Sequence, residues 1–169
     1  MKLLIRKILF TLVLTLVPFS VYAQPTDKLY SYKQFGDQYV VSLKNHVEIS
    51  KALTEFCNDQ HIRAGTITGI GAVKEATLRF FNPVTKVYKD KVFAEQLEIS
   101  NLTGNIAQKD GKLYLHLHIT LGRADYSALA GHLLTAVING AGEFVVTKYN
   151  GTLPRYYDQN IGLNFYQFK

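Results

Sequence analysis

The stretch QLEISNLTGNIAQKDGKLYLHLHITLG, residues 96–122, governs how the rest of the chain is read. Two runs of strand-forming residues flank Lys109-Asp110-Gly111, and a short Asp-Gly segment between such runs signals a β-hairpin, because a tight turn needs the positive φ values that Asp and Gly tolerate. In the second run, residues 112–122, alternation sends Leu113, Leu115, Leu117 and Ile119 to one face and Tyr114, His116, His118 and Thr120 to the other. A hairpin with one apolar face is not stable alone, so further strands and a covering layer are expected.

Both flanks supply them. Upstream, YVVSL (39–43), AGTITGIGAV (64–73), EATLRFF (75–81) and KVYKDKVF (86–93) are strand-length runs, the last two separated by an Asn82-Pro83 turn. Downstream, GEFVVTKY (142–149) and IGLNFYQF (161–168) complete the set. One helix interrupts the strands. Asn45 followed by Glu48 resembles a capping box, and Ile49, Ala52, Leu53, Phe56 and Cys57 then recur at spacings of three and four, giving one apolar stripe that ends near Gln60 or His61. The expected fold is α+β, a largely antiparallel β-sheet with one long flanking helix, over residues 36–168. Residues 24–35 are polar with scattered aromatics and no sustained period, and read as an N-terminal arm.

The first 23 residues differ in kind. Lys2, Arg6 and Lys7 precede the apolar run ILFTLVLTLV (8–17), Pro18 breaks it, and small residues lead to Ala23, the pattern of a secretory signal peptide cleaved before Gln24. Ten residues rise only about 15 Å as a helix, half the hydrocarbon thickness of a bilayer, so no membrane span is expected in the mature chain. Export places the protein in the periplasm or outside the cell. The whole chain carries +6, but three of its 19 basic residues lie in the leader, leaving 16 against 13 acidic ones, a net +3. That small excess, with no Lys/Arg cluster, argues against nucleic acid as a partner. Cys57 is the single cysteine, so an intrachain disulfide is excluded, and its place in the helical stripe reads as core.

His116, His118 and His132 are three of the five histidines. On a strand, His116 and His118 point the same way about 6.5 to 7 Å apart, close enough to converge on one ion. The segment GRADYSALAG (122–131) contains glycines that allow a turn returning His132 to that face. Three neutral imidazoles suit a divalent metal, zinc first, and leave a fourth position for water. Spacing alone leaves a second reading open, in which His116 and His118 are half-exposed polar residues and His132 sits in a loop. Asp125 is the only carboxylate between 111 and 142, so carboxylate support for each imidazole is not available locally. His46 and His61 bracket the helix and read as structural. TGIGAV (68–73) holds Gly-x-Gly without the third glycine or the Lys-Ser/Thr of a phosphate loop, and no nucleophile motif is present.

The pieces GIGAV (69–73), ATLRFFNP (76–83), LEISNLTGNI (97–106), LHLHITLG (115–122) and GHLL (131–134), in this order, resemble the plants-and-prokaryotes conserved domain, the PPC domain, also described as a DNA-binding domain. The resemblance implies an antiparallel sheet with a flanking helix, assembled as a homotrimer. It also implies a recurring prokaryotic trio of histidines, similar to a metal site, at the positions of His116, His118 and His132. No reaction comes with it, and the chain has no AT-hook, the short basic minor-groove motif of plant members. The expected function is therefore an exported, trimeric, metal-binding module for an unidentified small molecule or protein. The alternatives are a metal-dependent hydrolase or hydratase, with Glu98 or Asp125 as candidate general base, and a DNA-binding protein.

Overall fold

A computed structural model describes residues 28–168, and the leader expected over residues 1–23 lies outside them. In chain order the elements are β1 (Tyr30–Phe35), β2 (Gln38–Leu43), α1 (Ile49–Asp59), β3 (Gly65–Asn82), β4 (Val87–Phe93), β5 (Leu97–Lys109), β6 (Lys112–Gly122), β7 (Ala128–Lys148), β8 (Pro154–Asp158) and β9 (Leu163–Tyr166). All strand pairs are antiparallel except a two-residue parallel contact between β5 and β8. The α+β expectation of a largely antiparallel sheet with one helix therefore holds.

The hairpin read from Asp110-Gly111 is present. Lys109 pairs with Lys112, and Asp110 and Gly111 take φ values of 51° and 73°, the double left-handed conformation that matches strand twist. Two long strands then organise the molecule. Along one edge β3 pairs with β7 from Gly65 to Arg79; along its other edge it pairs first with β5, then with β4. Since β6 joins β5 to the start of β7, strands β3, β5, β6 and β7 close into a ring of pairings. Closure needs a bend, and Gly71 supplies one: its φ is 151° and a Cβ there would lie 2.3 Å from the Ala141 carbonyl oxygen, so only glycine lets β3 and β7 meet at the bulge.

Helix α1 covers the inner face. Its stripe Ile49, Ala52, Leu53, Phe56 and Cys57 is completely buried, as the spacing required. Burial pushes the Cys57 thiol up to about 12, which keeps it protonated and unreactive. Phe56 also meets Tyr30, Tyr32 and Tyr39 edge-on, at ring-centroid distances of 5.2, 5.4 and 5.5 Å.

Several boundaries differ from the sequence reading, and the runs 64–73 and 75–81 join into the single strand β3. The helix starts at Ile49, because Glu48 is its cap: the Glu48 carboxylate accepts from the backbone N–H groups of Ser50 (2.9 Å) and Lys51 (2.6 Å). Asn45 instead accepts from the His46 and Gly140 amides, pinning the preceding turn to β7. Part of the expected arm, Tyr30–Phe35, is strand β1, held by β2 through a two-residue turn whose Gly36 has φ 59°. Residues 128–141, read as part of a turn up to Gly131 and given no element beyond it, belong to the 21-residue β7, where pairing with β3 and β6 overrides the helix-compatible Ala and Leu content. The final run, 161–168, narrows to β9, and a strand not expected from the sequence, β8, precedes it and pairs with it as a hairpin. Among the described residues no helix is long and apolar enough to cross a membrane.

Candidate metal centre

Register places the histidines. His118 is the direct partner of His132 across β6 and β7, and residues paired in this way point to the same side of a sheet. His116 lies two residues from His118 on β6, so all three rings share one face, opposite Leu117, Ile119 and Leu121 in the core. Ring centroids are 5.0 to 5.3 Å apart and a ligating nitrogen from each ring lies within 4.8 Å of the other two. Nitrogens bound at about 2.1 Å to one tetrahedral ion are about 3.4 Å apart, so small ring rotations close the set. The sequence reading of three converging imidazoles is met geometrically: a turn within 122–131 returns His132 to the histidine face on β7, although Gly122 and Gly131 lie in the flanking strands and not in the turn. The turn spans residues 123–127, where Tyr126 has φ 65° and Asp125 accepts from the Ser127 N–H (2.9 Å) and Oγ (2.6 Å).

The row continues past β7. Arg79 on β3 pairs with His132, and Asp90 on β4 pairs with Arg79, so the order across the sheet is Asp90, Arg79, His132, His118. The Arg79 guanidinium grips Asp90 with two hydrogen bonds of 3.0 and 2.9 Å, and stacks on Tyr88 at 4.8 Å. Close backbone approach fixes the other side: a Cβ on Gly104 of β5 would lie 2.1 Å from the His116 carbonyl oxygen. Burial, then the neighbouring imidazoles and Arg79, holds His132 down at about 4, with Asp90 opposing. Burial likewise lowers His116, followed by His118 and Arg155. Both rings are neutral at physiological pH, the state in which imidazole nitrogen donates a lone pair to a metal.

The three imidazoles line a cavity of about 810 Å³ between the outer face of the sheet and the β8–β9 hairpin. Tyr114, Asn105 and Arg155 join them there, and sequence reasoning did not find these residues. Tyr114 was legible as lying on the histidine face, and Asp90 follows from extending the hairpin register around Asn82-Pro83, but Arg155 carries no local signal at all. Glu98 and Asp125, the candidate general bases, do not line the cavity. Asp125 is occupied in its turn, and Glu98 pairs with Gly122 away from the histidine row.

Fold and site together define an α+β domain in which a closed antiparallel ring presents a histidine cluster on its outer face. The Plants and Prokaryotes Conserved (PCC) domain matches residues 30–150, and the chain belongs to that family. No curated protein matches. A solved structure from Bacteroides thetaiotaomicron, described as a "putative dna binding protein", is similar at 61% identity and a TM-score of 0.82, covering 83% of this chain and 98% of its own. An Archaeoglobus fulgidus chain described as a metal-containing protein is similar at 29% identity and a TM-score of 0.74, covering 83% and 99%. A Pyrococcus horikoshii plant- and prokaryote-conserved protein, 24% identical with a TM-score of 0.72 over 83% of this chain and 95% of its own, shares the fold.

Proposed function

We propose that this protein is an exported, self-associating module that binds a divalent metal through His116, His118 and His132. The carrying observation is the cluster: three imidazole nitrogens within 4.8 Å of one another on one face of a closed sheet. Zinc fits this donor set best, since it accepts all-nitrogen coordination and tetrahedral geometry. Bound there it would leave a fourth position open to water or to a ligand in the cavity. The three imidazoles hold the ion. Arg79, tied to Asp90, keeps a positive group beside His132 and so favours its unprotonated form.

The metal-containing description of the Archaeoglobus relative supports the reading. Export rests on the leader pattern of residues 1–23, and the trimer on the family resemblance. Self-association also has support in the apolar side chains left exposed around the β3–β4 turn, with Phe80 at 75% and Val84 at 88%. The test is elemental analysis of the purified protein, prepared without chelator or histidine tag, with light-scattering mass on the same sample. About one zinc per chain in a particle of three chains is expected. A metal-free protein that gains no thermal stability from added zinc would overturn the metal reading, and a monomeric mass would overturn the assembly.

A DNA-binding reading is favoured by the description of the Bacteroides relative. It predicts duplex affinity that falls steeply with salt. Absence of binding at low salt removes it.

A further inference from the structure

Arg155 stands apart from every other charged group near the cavity. It is 8% exposed and is the one buried charged residue among those described. Its two terminal nitrogens donate to the Asn164 carbonyl (2.9 Å) and to Asn105 Oδ1 (2.7 Å), while its Nε has no acceptor. The guanidinium rests against the rings of Tyr166 and Tyr114, at 4.2 and 5.2 Å from their centroids. None of the ion pairs among the described residues includes it, whereas Arg79 across the cavity is neutralised by Asp90. A buried charge without a counter-charge is costly, and ring faces and carbonyls offset only part of that cost.

The remedy lies in the cavity that Arg155 lines. No Asp or Glu lines it, and Asn105, which holds the guanidinium, is the cross-strand partner of His116. The cation is therefore bonded to the residue that lies beside His116 on the neighbouring strand. Phe81, Tyr88 and Phe165 give the cavity apolar walls, and its volume of about 810 Å³ suits a small organic molecule.

We infer that this cavity takes a small organic oxyanion, a carboxylate or a phosphate ester on an apolar body, with its anionic end on Arg155 beside the three histidines. The planar guanidinium matches either group through paired hydrogen bonds. The inference deepens the reading above and rests on it only for a bound cation as second contact; Arg155 itself comes from the β8–β9 hairpin, outside the residues that match the family. A purely structural cation, present to fasten the hairpin, makes the opposite prediction.

Benzoate and phenyl phosphate serve as probes, titrated calorimetrically into the full chain in metal-free and zinc-loaded form. At least one is expected to bind the wild type, tenfold or more weakly to Arg155→Gln, and with partial recovery in Arg155→Lys. Zinc content and far-UV circular dichroism of these variants should be unchanged. The tighter probe identifies the anionic group, and inorganic phosphate binding as well as phenyl phosphate would overturn the apolar body. If Arg155→Gln fails to fold, Asn105→Ala, which releases one hold on the guanidinium, is expected to weaken the probe several-fold; undiminished binding there overturns the inference. So does a wild type that binds neither probe, or an Arg155→Gln protein that binds like the wild type. Loss of the zinc reading alone leaves the Arg155-dependent affinity of the metal-free protein in place, so the two failures are distinguishable.

Discussion

The sheet is flanked on its inner face by α1 and on its outer face by the β8–β9 hairpin, and the two are attached by opposite means. The helix packs five completely buried apolar side chains, Ile49, Ala52, Leu53, Phe56 and Cys57, against the core. The hairpin offers one buried residue, and that residue is the cation Arg155. Apolar burial is non-directional and stabilises in proportion to area, so the helix side is built for stability. A buried guanidinium among amides and tyrosines stabilises little by itself, but it sets a charge at a fixed place. Each β6 residue faces one environment or the other: Leu117 and Ile119 belong to the first, His116 and His118 to the second.

The contrast can be broken most heavily from the helix side. Phe56→Ala removes the ring at the centre of the tyrosine cluster and is expected to cost about 3 to 5 kcal/mol, read as a fall in the denaturant midpoint. A cost under about 1 kcal/mol would mean that the aromatic cluster relaxes into the space. Gly104→Ala acts at the junction of the two faces. Its Cβ, 2.1 Å from the His116 carbonyl, must push β5 from β6. An expected loss of about 1 to 3 kcal/mol should come with weaker zinc binding, measured by competition with a chromogenic chelator. Unchanged zinc affinity would show that the ring of strands absorbs the shift without moving His116.

Acid probes the outer face. His132 has its folded pKa lowered to about 4 from an ordinary 6.5, so the unfolded chain binds the proton more readily. The metal-free protein is therefore expected to hold full stability from this group above about pH 6.5 and to lose it as pH falls toward about 4. Discounted for the ring's partial solvent access, the loss is on the order of 1 to 2 kcal/mol. His132→Gln should flatten that part of the pH profile, and an unaltered profile would refute the assignment. The smallest stability effect is expected for His118→Ala, whose side chain is exposed. Metal-free stability should stay within about 0.5 kcal/mol of the wild type while stoichiometric zinc disappears; retained zinc would refute the three-histidine centre.

How much of this was legible follows from which interactions are local. The hairpin at Asp110-Gly111, the α1 stripe and the shared face of His116 and His118 are set by neighbours in sequence, so period and turn chemistry reveal them. The Ala- and Leu-containing start of β7 has no such local mark, and only its pairing with β3 and β6 makes it a strand. Glu48 displaced Asn45 as helix cap because the backbone turn puts Asn45 against Gly140, a contact 95 residues away. Arg155 reaches Asn105 across 50 residues, and a lone arginine near the end of a chain looks like solvated surface until that bond is seen.

The closed ring of β3, β5, β6 and β7 bears on time as well as shape. At the His118–His132 pair both strands have partners on both sides, since β6 there lies between β5 and β7, and β7 between β6 and β3. No free edge exists there from which the ladder could fray. The amides of residues 118 and 132 should consequently exchange with deuterated solvent only through global unfolding, while those of β9, on a hairpin joined to the sheet by two residue pairs, exchange far sooner. An ion held by these imidazoles would then leave by breaking its own bonds, one ring at a time, and not because the scaffold opens.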